Sequence, residues 1–429
     1  MDTIYALATA PGKAGVAIVR LSGKSAFQAA ENLVGPLPAH GRSLRQVVDS
    51  RGDVIDQALV LSFAHGHSFT GEPVIEFHLH GSRAVIAAMF AILGQMPHLR
   101  LAEPGEFTKR AFENGRLDLA QVEGLADLLD AETEAQRRQA QRMVSGALAR
   151  RTEIWRKKLL HAVALVEATI DFSDEAVPVN VWPDVLSLLT EVSKELRDES
   201  SGSVAAERLR DGFEVAIVGS TNVGKSTLLN HLAGRDAAIT SEIAGTTRDV
   251  IEVRMDIDGL PVTFLDTAGF RESLDQVENI GIERGIARAT AADLRIHLVL
   301  AGESPTLDVG IDDLVVLGKA DLSSPADYDY AVSGLTGEGV GHLTDAISDT
   351  LQRRVAGVGL AVRERHRVAM VRSSAHLENA ICDGVVENVQ AELVALELRF
   401  AVRVLDGLVG RMDVEDVLGE IFSRFCIGK

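Results

Sequence analysis

Cysteine is nearly absent from this sequence, and other features that would identify a class of protein are missing as well. The 429 residues include two cysteines, Cys382 and Cys426, which are too few for a disulfide framework or a zinc site built from thiolates. No apolar run approaches the ~18 residues of a membrane span, the longest candidate being 84–96. The start of the chain lacks the basic region of a signal peptide. These absences predict a cytoplasmic protein without a membrane partner.

An excess of positive charge is also missing. The formal net charge of −19 argues against indiscriminate nucleic-acid binding, because phosphate contacts require concentrated cations. An RNA partner would need a local patch, and one candidate in a predicted helix consists of Arg137, Arg138, Arg142, Arg150, Arg151, Arg156, Lys157 and Lys158. The alternative, which we favour, is a solvated helix face balanced by Glu132, Glu134 and Glu153.

What is present divides the chain into four segments. Residues 1–118 mix short β-branched runs with glycine turns and one helical segment, which predicts a small α/β domain. In residues 213–352, strand-like and helical runs alternate, as in a parallel sheet with crossover helices. The segments 119–212 and 353–429 show helical stripes, formed by Leu159, Val163, Val166, Ile170, Val185, Leu188, Leu189, Val192 and Leu196, and by Leu377, Ile381, Val385, Leu393 and Leu396.

Two amphipathic helical blocks that flank one α/β unit must bury their stripes somewhere. We therefore expect them to pack together as one helical domain, with the α/β unit inserted between them. The polar stretch 198–212, which contains glycine and serine, predicts a linker into the inserted unit.

The strongest motif is a phosphate-binding loop. GSTNVGKS, from Gly219 to Ser226, follows the apolar run EVAIV and precedes a helical stretch, which is the context this motif requires. Its glycines let backbone N–H groups turn inward around phosphate, while the following helix presents its positive dipole end. Lys225 would reach the β- and γ-phosphates, and Ser226 would bind magnesium.

Two later motifs complete a nucleotide switch of the Ras type. AGTTRD supplies Thr247 as a second magnesium ligand, and FLDTAG supplies Asp266, which would hold the metal through water, and Gly269, which would sense the γ-phosphate. The residue after DTAG is Phe270, whose side chain has no hydrogen-bonding group to orient the attacking water. The residues alone leave two candidates for that role, Glu272 and Glu278.

Base recognition departs from the usual Asn-Lys-x-Asp pattern of GTPases, because this chain has Gly318, Lys319, Ala320 and Asp321. Asp321 can accept from the two guanine N–H donors that adenine lacks, and Lys319 can lie along the base plane. Gly318 cannot make the amide contacts, so we expect a weakened but retained preference for guanine. The loop that closes over the base is predicted at Ser333, Gly334 and Leu335.

Along nearly its whole length the chain resembles the MnmE/TrmE tRNA-modification GTPases. The resemblance is carried by TAPGKAGVAIVRLSG, FTGEPVIEFHLHG, AEPGEFTKRAFENGRLDLAQVEGLADLL, DTAGFRES, GIERG and the ending FCIGK. It implies a multidomain protein of α/β and α type, with an N-terminal α/β domain for tetrahydrofolate binding and dimerisation. A helical domain and an inserted Ras-like P-loop GTPase domain complete the implied architecture.

The resemblance also implies a function. Such proteins are homodimers that join a flavin-containing partner of the MnmG/GidA type in a heterotetramer or larger assembly. Together they add an aminomethyl or carboxymethylaminomethyl group to carbon 5 of the wobble uridine of certain tRNAs. The implied cofactors are GTP, Mg²⁺, K⁺ and 5,10-methylene- or 5-formyl-tetrahydrofolate, with FAD and NADH on the partner.

Residue roles follow from matching positions. The resemblance implies Asn222, Ser241, Ile243 and Thr246 as potassium ligands, and Glu278 as the residue that orients water, with Lys225 and Asn222 also catalytic. For Asn222, a loop residue that satisfies its own backbone remains an alternative. The predicted GTP-binding set is Asn222, Val223, Gly224, Lys225, Ser226, Thr227, Ser241, Glu242, Ile243, Ala244, Gly245, Thr246, Thr247, Asp266, Thr267, Ala268, Gly269, Lys319, Asp321, Ser333, Gly334 and Leu335.

The folate site implied by the resemblance contains Arg20, Glu76 and Arg116, with the C-terminal Lys429 nearby. A cation facing a glutamyl carboxylate and a carboxylate facing the N–H edge of the pterin are the expected complements. Cys426 could be a nucleophile or a redox thiol, or it could simply shape the tail.

Two other classes of protein compete with this interpretation. A GTPase that acts as an assembly switch, for example on ribosomal subunits, would need no chemistry beyond hydrolysis. It would leave the first 118 or so residues and the tail unexplained, and it predicts no affinity for folate. An ATP-using P-loop enzyme is disfavoured by Asp321, because adenine offers no paired N–H donors there.

Overall fold

The computed structural model of the chain describes residues 2–171, 180–234, 252–266, 287–322, 328–355, 357–385, 390–411, 419, 421–422, 425 and 427–428. The chain divides into a first unit, Met1–Ala126 with Asp406–Lys429, and a second unit, Asp127–Leu405. The four segment boundaries expected from sequence remain a prediction. No helix in these ranges has both the length and the apolar character needed to cross a membrane.

The first unit contains a six-stranded sheet. Its strands are β1 (Thr3–Leu7), β2 (Ala14–Ser22), β3 (Gly41–Val48), β4 (Val54–Phe63), β5 (Val74–Gly81) and β6 (Leu99–Leu101). They lie in the order β3-β4-β5-β2-β1-β6, and neighbours are antiparallel except β1 and β6. Alternation along β2 and β5 places Val19, Leu21, Phe77 and Leu79 in the core.

The sequence predicts one helical segment before residue 118, but the structure has more. The helices here are α1 (Ala26–Val34), α2 (Arg83–Leu93) and α3 (Glu106–Glu113), followed by α4 (Leu119–Asp130). Both α1 and α2 contribute side chains to the core of the sheet, including Leu33 and Met89. The prediction missed helices because short helices of 8 to 11 residues carry little periodicity of their own.

In the second unit, helices lie before, between and after the strands of a second sheet. They are α5 (Glu134–Val144), α6 (Ala147–Asp171), α7 (Trp182–Ser201), α8 (Ser203–Asp211), α9 (Lys225–Ala233), α10 (Val340–Val355), α11 (Glu364–Val385) and α12 (Ala391–Leu408). The two helical blocks contact each other as expected, since Ser193 Oγ in α7 lies 3.0 Å from Ser374 Oγ in α11.

The linker predicted at 198–212 is wrong, because this stretch is the end of α7 followed by α8. Ala206 and Leu209 are buried, so packing holds the segment helical despite its polar composition. Gly202, which suggested flexibility, serves close packing instead. A Cβ at residue 202 would lie 2.8 Å from the carbonyl oxygen of Gly357.

The helical stripe predicted for α12 is also partly wrong. Leu393 and Leu396 are each 44% exposed, whereas the buried positions are Val394, Leu398, Ala401 and Leu405. The predicted helix is present, but its apolar face is displaced by one residue because leucines occur on both faces of this segment. Only contact with neighbouring helices selects the face that is buried.

The second sheet has strands β7 (Phe213–Val218), β8 (Glu252–Ile257), β9 (Leu260–Asp266), β10 (Leu294–Val299), β11 (Leu314–Gly318) and β12 (Tyr330–Val332). Its order is β12-β11-β10-β7-β9-β8, and all neighbours are parallel except β8 and β9. This confirms the predicted α/β pattern. The carboxyl ends of β7, β9 and β11 therefore lie at one edge of the sheet, which is where open α/β sheets bind ligands.

Candidate functional site

The phosphate-binding loop has the predicted strand, loop and helix context. Strand β7 ends at Val218 and α9 begins at Lys225. Asn222 has φ 63° and Gly224 has φ 113°, so the loop turns through left-handed backbone conformations that most side chains disfavour. These turns, followed by a helix N-terminus, form a cradle for an anion.

Lys225 lies folded over this loop. Its Nζ donates to the carbonyl oxygens of Gly219 at 2.7 Å and Ser220 at 2.9 Å. Burial lowers the pKa of Lys225 below its usual value, and the charge of Asp266 partly opposes that shift. The ammonium is therefore held among loop carbonyls at the place where phosphate oxygens would be neutralised.

Ser226 and Asp266 meet at the carboxyl edge of the sheet. Ser226 Oγ donates to Asp266 Oδ2 at 2.9 Å, and Asp266 is buried at the end of β9. A hydroxyl and a carboxylate are hard oxygen donors of the kind that magnesium prefers. This pair therefore fits the predicted role of Ser226 as a ligand and Asp266 as an outer partner of the metal.

A cavity of about 300 Å³ extends from the phosphate loop. It is lined by Val223, Gly224, Thr227, Leu228, Leu298, Gly318, Lys319, Asp321, Leu322, Val332, Ser333, Gly334 and Leu335. The structure thus brings the phosphate loop together with both predicted base-binding segments, which are separated in sequence. Lys319 has φ 55°, and Asp321 lies in a short 3₁₀ helix, Ala320–Leu322, directly after β11.

The switch residues fall outside the described part of the chain. This applies to Ser241, Glu242, Ile243, Ala244, Gly245, Thr246, Thr247, Thr267, Ala268, Gly269, Phe270, Glu272 and Glu278. Of the predicted potassium ligands, Asn222 alone is described. The Asn222 side chain is exposed and forms no hydrogen bond within the described ranges. This argues against the alternative in which the side chain bonds to the backbone of its own loop.

In the first unit, the structure brings together two of the predicted folate residues. Arg20 and Glu76 face each other on β2 and β5, and Arg20 Nε donates to Glu76 Oε1 at 2.7 Å. Arg20 also donates to the carbonyl oxygen of Gly428 at 3.4 Å, and its guanidinium lies 5.7 Å from the ring centre of Phe107. The sequence predicted Arg20 and Glu76 as separate contacts for a ligand. In the structure the two side chains form an ion pair with each other.

The other predicted folate residues are less defined. Arg116 is exposed, and its side chain lies beside Gly71 in the loop between β4 and β5. Lys429 and the thiol residue Cys426 lie outside the described residues. The bridge between Pro104 and Ile427 nevertheless places the C-terminal tail beside the segment that leads into α3.

The first unit also contains a buried ionic network that was not predicted from the sequence. Arg110, which is 4% exposed, donates to Glu72 Oε2 at 2.9 Å and to Glu106 Oε1 at 3.0 Å. Arg100 donates to both oxygens of Glu106 at 2.6 and 2.8 Å. Burial raises the pKa of Glu106, but the hydrogen bonds from Arg100, from the backbone of Glu103 and from Arg110 outweigh it and lower the pKa to about 2. The four-residue spacing of Glu106 and Arg110 on a helix was an available signal.

The basic cluster that was one candidate for an RNA-binding patch is largely paired with carboxylates. Glu134 accepts from Arg137 at 2.6 Å and from Arg138 at 2.7 Å. Glu195 accepts from Arg151 and Lys158. The cluster also spans two helices, because the chain turns at Ser145 and Gly146. These contacts support the solvated, charge-balanced face.

Comparisons with known proteins extend over the whole chain. A family model described as GTP-binding protein TrmE N-terminus matches residues 3–116, and one described as MnmE helical domain matches residues 119–426. A tRNA modification GTPase MnmE from Cereibacter sphaeroides is 57% identical over 100% of both chains, and that of Roseobacter denitrificans is 55% identical over 100% of both. Among solved structures, the G domain of FeoB from Methanococcus jannaschii has 23% identity and a TM-score of 0.24, over 33% of this chain and 98% of that chain.

Proposed function

The chain belongs to the MnmE/TrmE family of tRNA modification GTPases, and we propose that its GTP hydrolysis drives modification of the wobble uridine of certain tRNAs. The observation that carries this proposal is the cavity that runs from the Lys225 loop to Asp321, in a chain that matches its relatives from end to end. The cavity would hold the guanine nucleotide. The first unit would then bind the folate that the modification requires.

In the phosphate half of the site, Lys225 and the loop amides neutralise charge on the β- and γ-phosphates. Magnesium, when bound, would stabilise the negative charge that develops on the phosphates during hydrolysis. Ser226 would hold it, with Thr247 as the second protein ligand and Asp266 acting through water. The hydrogen bond between Ser226 and Asp266 supports this, because it orients both oxygens at the same edge.

Potassium is proposed as the second cation, held by Asn222, Ser241, Ile243 and Thr246. A monovalent cation next to the phosphates would supply the charge that an arginine finger gives in other GTPases. The exposed, left-handed Asn222 supports this role, since its amide oxygen is not used inside the loop. Glu278 would then orient the attacking water, in place of the side chain that Phe270 lacks.

The folate proposal depends on the charges of the first unit. Arg20 and Glu76 are 21% and 15% exposed, so both can be reached by a ligand while remaining oriented by each other. Glu76, oriented by Arg20, would accept from the N–H edge of a pterin, and another cation of the predicted set would face a glutamyl carboxylate. The hydrogen bond from Arg20 to the carbonyl oxygen of Gly428 supports a contribution from the C-terminal tail. Lys429 and Cys426 belong to the same tail.

The wider assembly is also part of the proposal. The protein would act in the cytoplasm as a homodimer, with a flavin-containing partner of the MnmG/GidA type that supplies FAD and NADH, on 5,10-methylene- or 5-formyl-tetrahydrofolate. The product would be an aminomethyl or carboxymethylaminomethyl uridine. Its domains would be 1–118 for folate and dimerisation, 119–212 and 353–429 for the helical domain, and 213–352 for the GTPase.

Titration with 5-formyl-tetrahydrofolate separates this function from that of an assembly switch. The parent chain is expected to bind it, and Arg20→Ala is expected to weaken binding by about tenfold through loss of one charge-assisted contact. Arg45→Ala, which changes an exposed arginine on β3, is the matched control and should bind normally. Absence of folate binding by the parent would favour the assembly switch.

The potassium proposal is tested separately by measuring phosphate release from GTP in potassium and in sodium at equal ionic strength. Hydrolysis is expected to fall strongly in sodium, and Asn222→Ala should remove the difference between the two ions. Equal rates in both salts would rule out the potassium site without affecting the folate result.

A further inference from the structure

His78 lies next to the pair formed by Arg20 and Glu76, although the sequence did not predict it as part of that site. It follows Glu76 by two residues on β5, so the two side chains lie on the same face of the sheet. His78 Nε2 is 3.5 Å from Glu76 Oε2, while Arg20 Nε donates to the other oxygen, Oε1, at 2.7 Å. The carboxylate of Glu76 therefore has a basic side chain beside each of its oxygens.

The ring nitrogen of His78 that faces Glu76 is left without a hydrogen bond in the described part of the chain. Nε2 is shielded from solvent and has no partner among those residues. The cross-strand neighbours of His78 are Ile18 on β2 and Leu59 on β4, and their apolar side chains offer none. Because an N–H···O hydrogen bond spans up to about 3.2 Å, a small approach of His78 to Glu76 would satisfy this nitrogen.

A second donor would still leave the Glu76 carboxylate able to bind a ligand. Nε2 of a histidine donates in the imidazolium form and in one of the two neutral tautomers. A carboxylate has about four acceptor positions, two on each oxygen. Arg20 takes one position on Oε1, and His78 would take one on Oε2. One position on each oxygen then remains for the two parallel N–H groups at the edge of a pterin.

Two donors fix the orientation of the carboxylate better than one. The terminal torsion of a glutamate side chain is broad, so a contact at Oε1 alone leaves the carboxylate of Glu76 free to rotate. A second contact at Oε2 restricts that rotation and lowers the cost of ordering the side chain when a ligand binds. Hydrogen bonds of this kind often tighten only in the complex with the ligand, which fits the 3.5 Å separation from His78.

We propose that His78 is a positioning residue of the folate site, which donates from Nε2 to Glu76 Oε2 and holds the carboxylate in one orientation for the pterin edge. His78 acts through Glu76 and not through contact of its ring with the ligand. The inference rests on the proposed function, in which Glu76 accepts from a pterin.

Two substitutions separate the donor of His78 from its ring. His78→Gln loses the ring but keeps an N–H donor at the end of a side chain of similar reach, whereas His78→Phe keeps an aromatic ring and has no donor. The full chain is titrated with 5-formyl-tetrahydrofolate. His78→Gln is expected to bind within about twofold of the parent, and His78→Phe about fivefold more weakly, because Glu76 loses its second contact.

The same two substitutions at His80 are the matched controls. His80 lies on the same strand but is 70% exposed, and its Nδ1 lies 2.7 Å from Asp56 Oδ1. His80→Gln and His80→Phe should both bind as the parent does. Parent-like binding by His78→Phe, or a loss in His78→Gln as large as that in His78→Phe, would overturn the inference. Failure of the parent to bind 5-formyl-tetrahydrofolate would instead overturn the proposed function on which it rests.

Discussion

Replacing Glu106 by glutamine should destabilise the first unit at neutral pH and do much less in acid. In the folded chain Glu106 receives three hydrogen bonds from guanidinium groups and one from the Glu103 backbone. Its pKa falls from 4.5 to about 2. That shift of ~2.5 pH units corresponds to about 3 kcal/mol of stabilisation at pH 7, as an upper value for a side chain that is mostly buried.

The sign of the pH dependence follows from the lowered pKa. The stabilisation is fully present above the unfolded pKa, near 4.5, and is lost as the pH falls towards 2. At pH 3 about 1 kcal/mol should remain. Glu106→Gln also leaves the buried Arg110 with Glu72 as its remaining carboxylate in this network, which adds to the cost at neutral pH.

Hydrogen–deuterium exchange suits this measurement, because both tryptophans lie in the second unit and do not report on the first. The opening free energy of peptides covering α3, Glu106–Glu113, should fall by about 3 kcal/mol in the variant at pH 7, with a smaller difference at pH 3. Glu134→Gln is the control, since its pKa is also about 2 but it is fully exposed and screened by solvent. The reasoning would be refuted if the two substitutions lowered the opening free energy equally. It would also be refuted if the difference between Glu106→Gln and the parent were larger at pH 3 than at pH 7.

Three further predictions concern the second unit. Asp321→Asn should lower GDP affinity by about 100-fold and favour xanthine nucleotides, whose 2-oxo group matches an amide N–H; competition binding with GDP and XDP measures this. Lys225→Ala should reduce phosphate release from GTP by at least about 100-fold, because the charge next to the phosphates is lost; a multiple-turnover assay that finds a smaller effect would contradict the role. Trp155→Phe should destabilise the helical packing by about 2 kcal/mol in urea denaturation followed by circular dichroism, since Trp155 is buried and its Nε1 donates to Glu195 at 2.7 Å.

Much of the nucleotide site could be predicted from the sequence because its motifs are local. The loop from Gly219 to Ser226 is contiguous, so spacing alone identifies the strand, the turn and the helix start. Asp321 and Ser333 come from later segments, yet each follows a strand of a parallel sheet. Parallel topology brings those strand ends to one edge, which is why they line one cavity.

The buried charges of the first unit could not be predicted in the same way. Arg110 and Glu72 are 38 residues apart, and nothing in either local pattern indicates that they meet. Similarly, Arg20 and Glu76 pair because β2 and β5 are neighbours in the sheet while β3 and β4 lie beyond β5 in its order. A charged residue in a strand has the same sequence signature whether it faces solvent, a ligand or an opposite charge.

The sequence by itself determined the phosphate loop, the family and the alternation of strands and helices around the second sheet, because these depend on backbone requirements and periodicity over short stretches. Only the tertiary structure decided which face of α12 is buried, which carboxylates neutralise Arg110, and how little space surrounds residue 318. Those outcomes depend on atoms brought together from distant positions. Residue 318 illustrates this, since a Cβ placed there would lie 2.8 Å from the carbonyl oxygen of Val223, which is 95 positions away in the sequence.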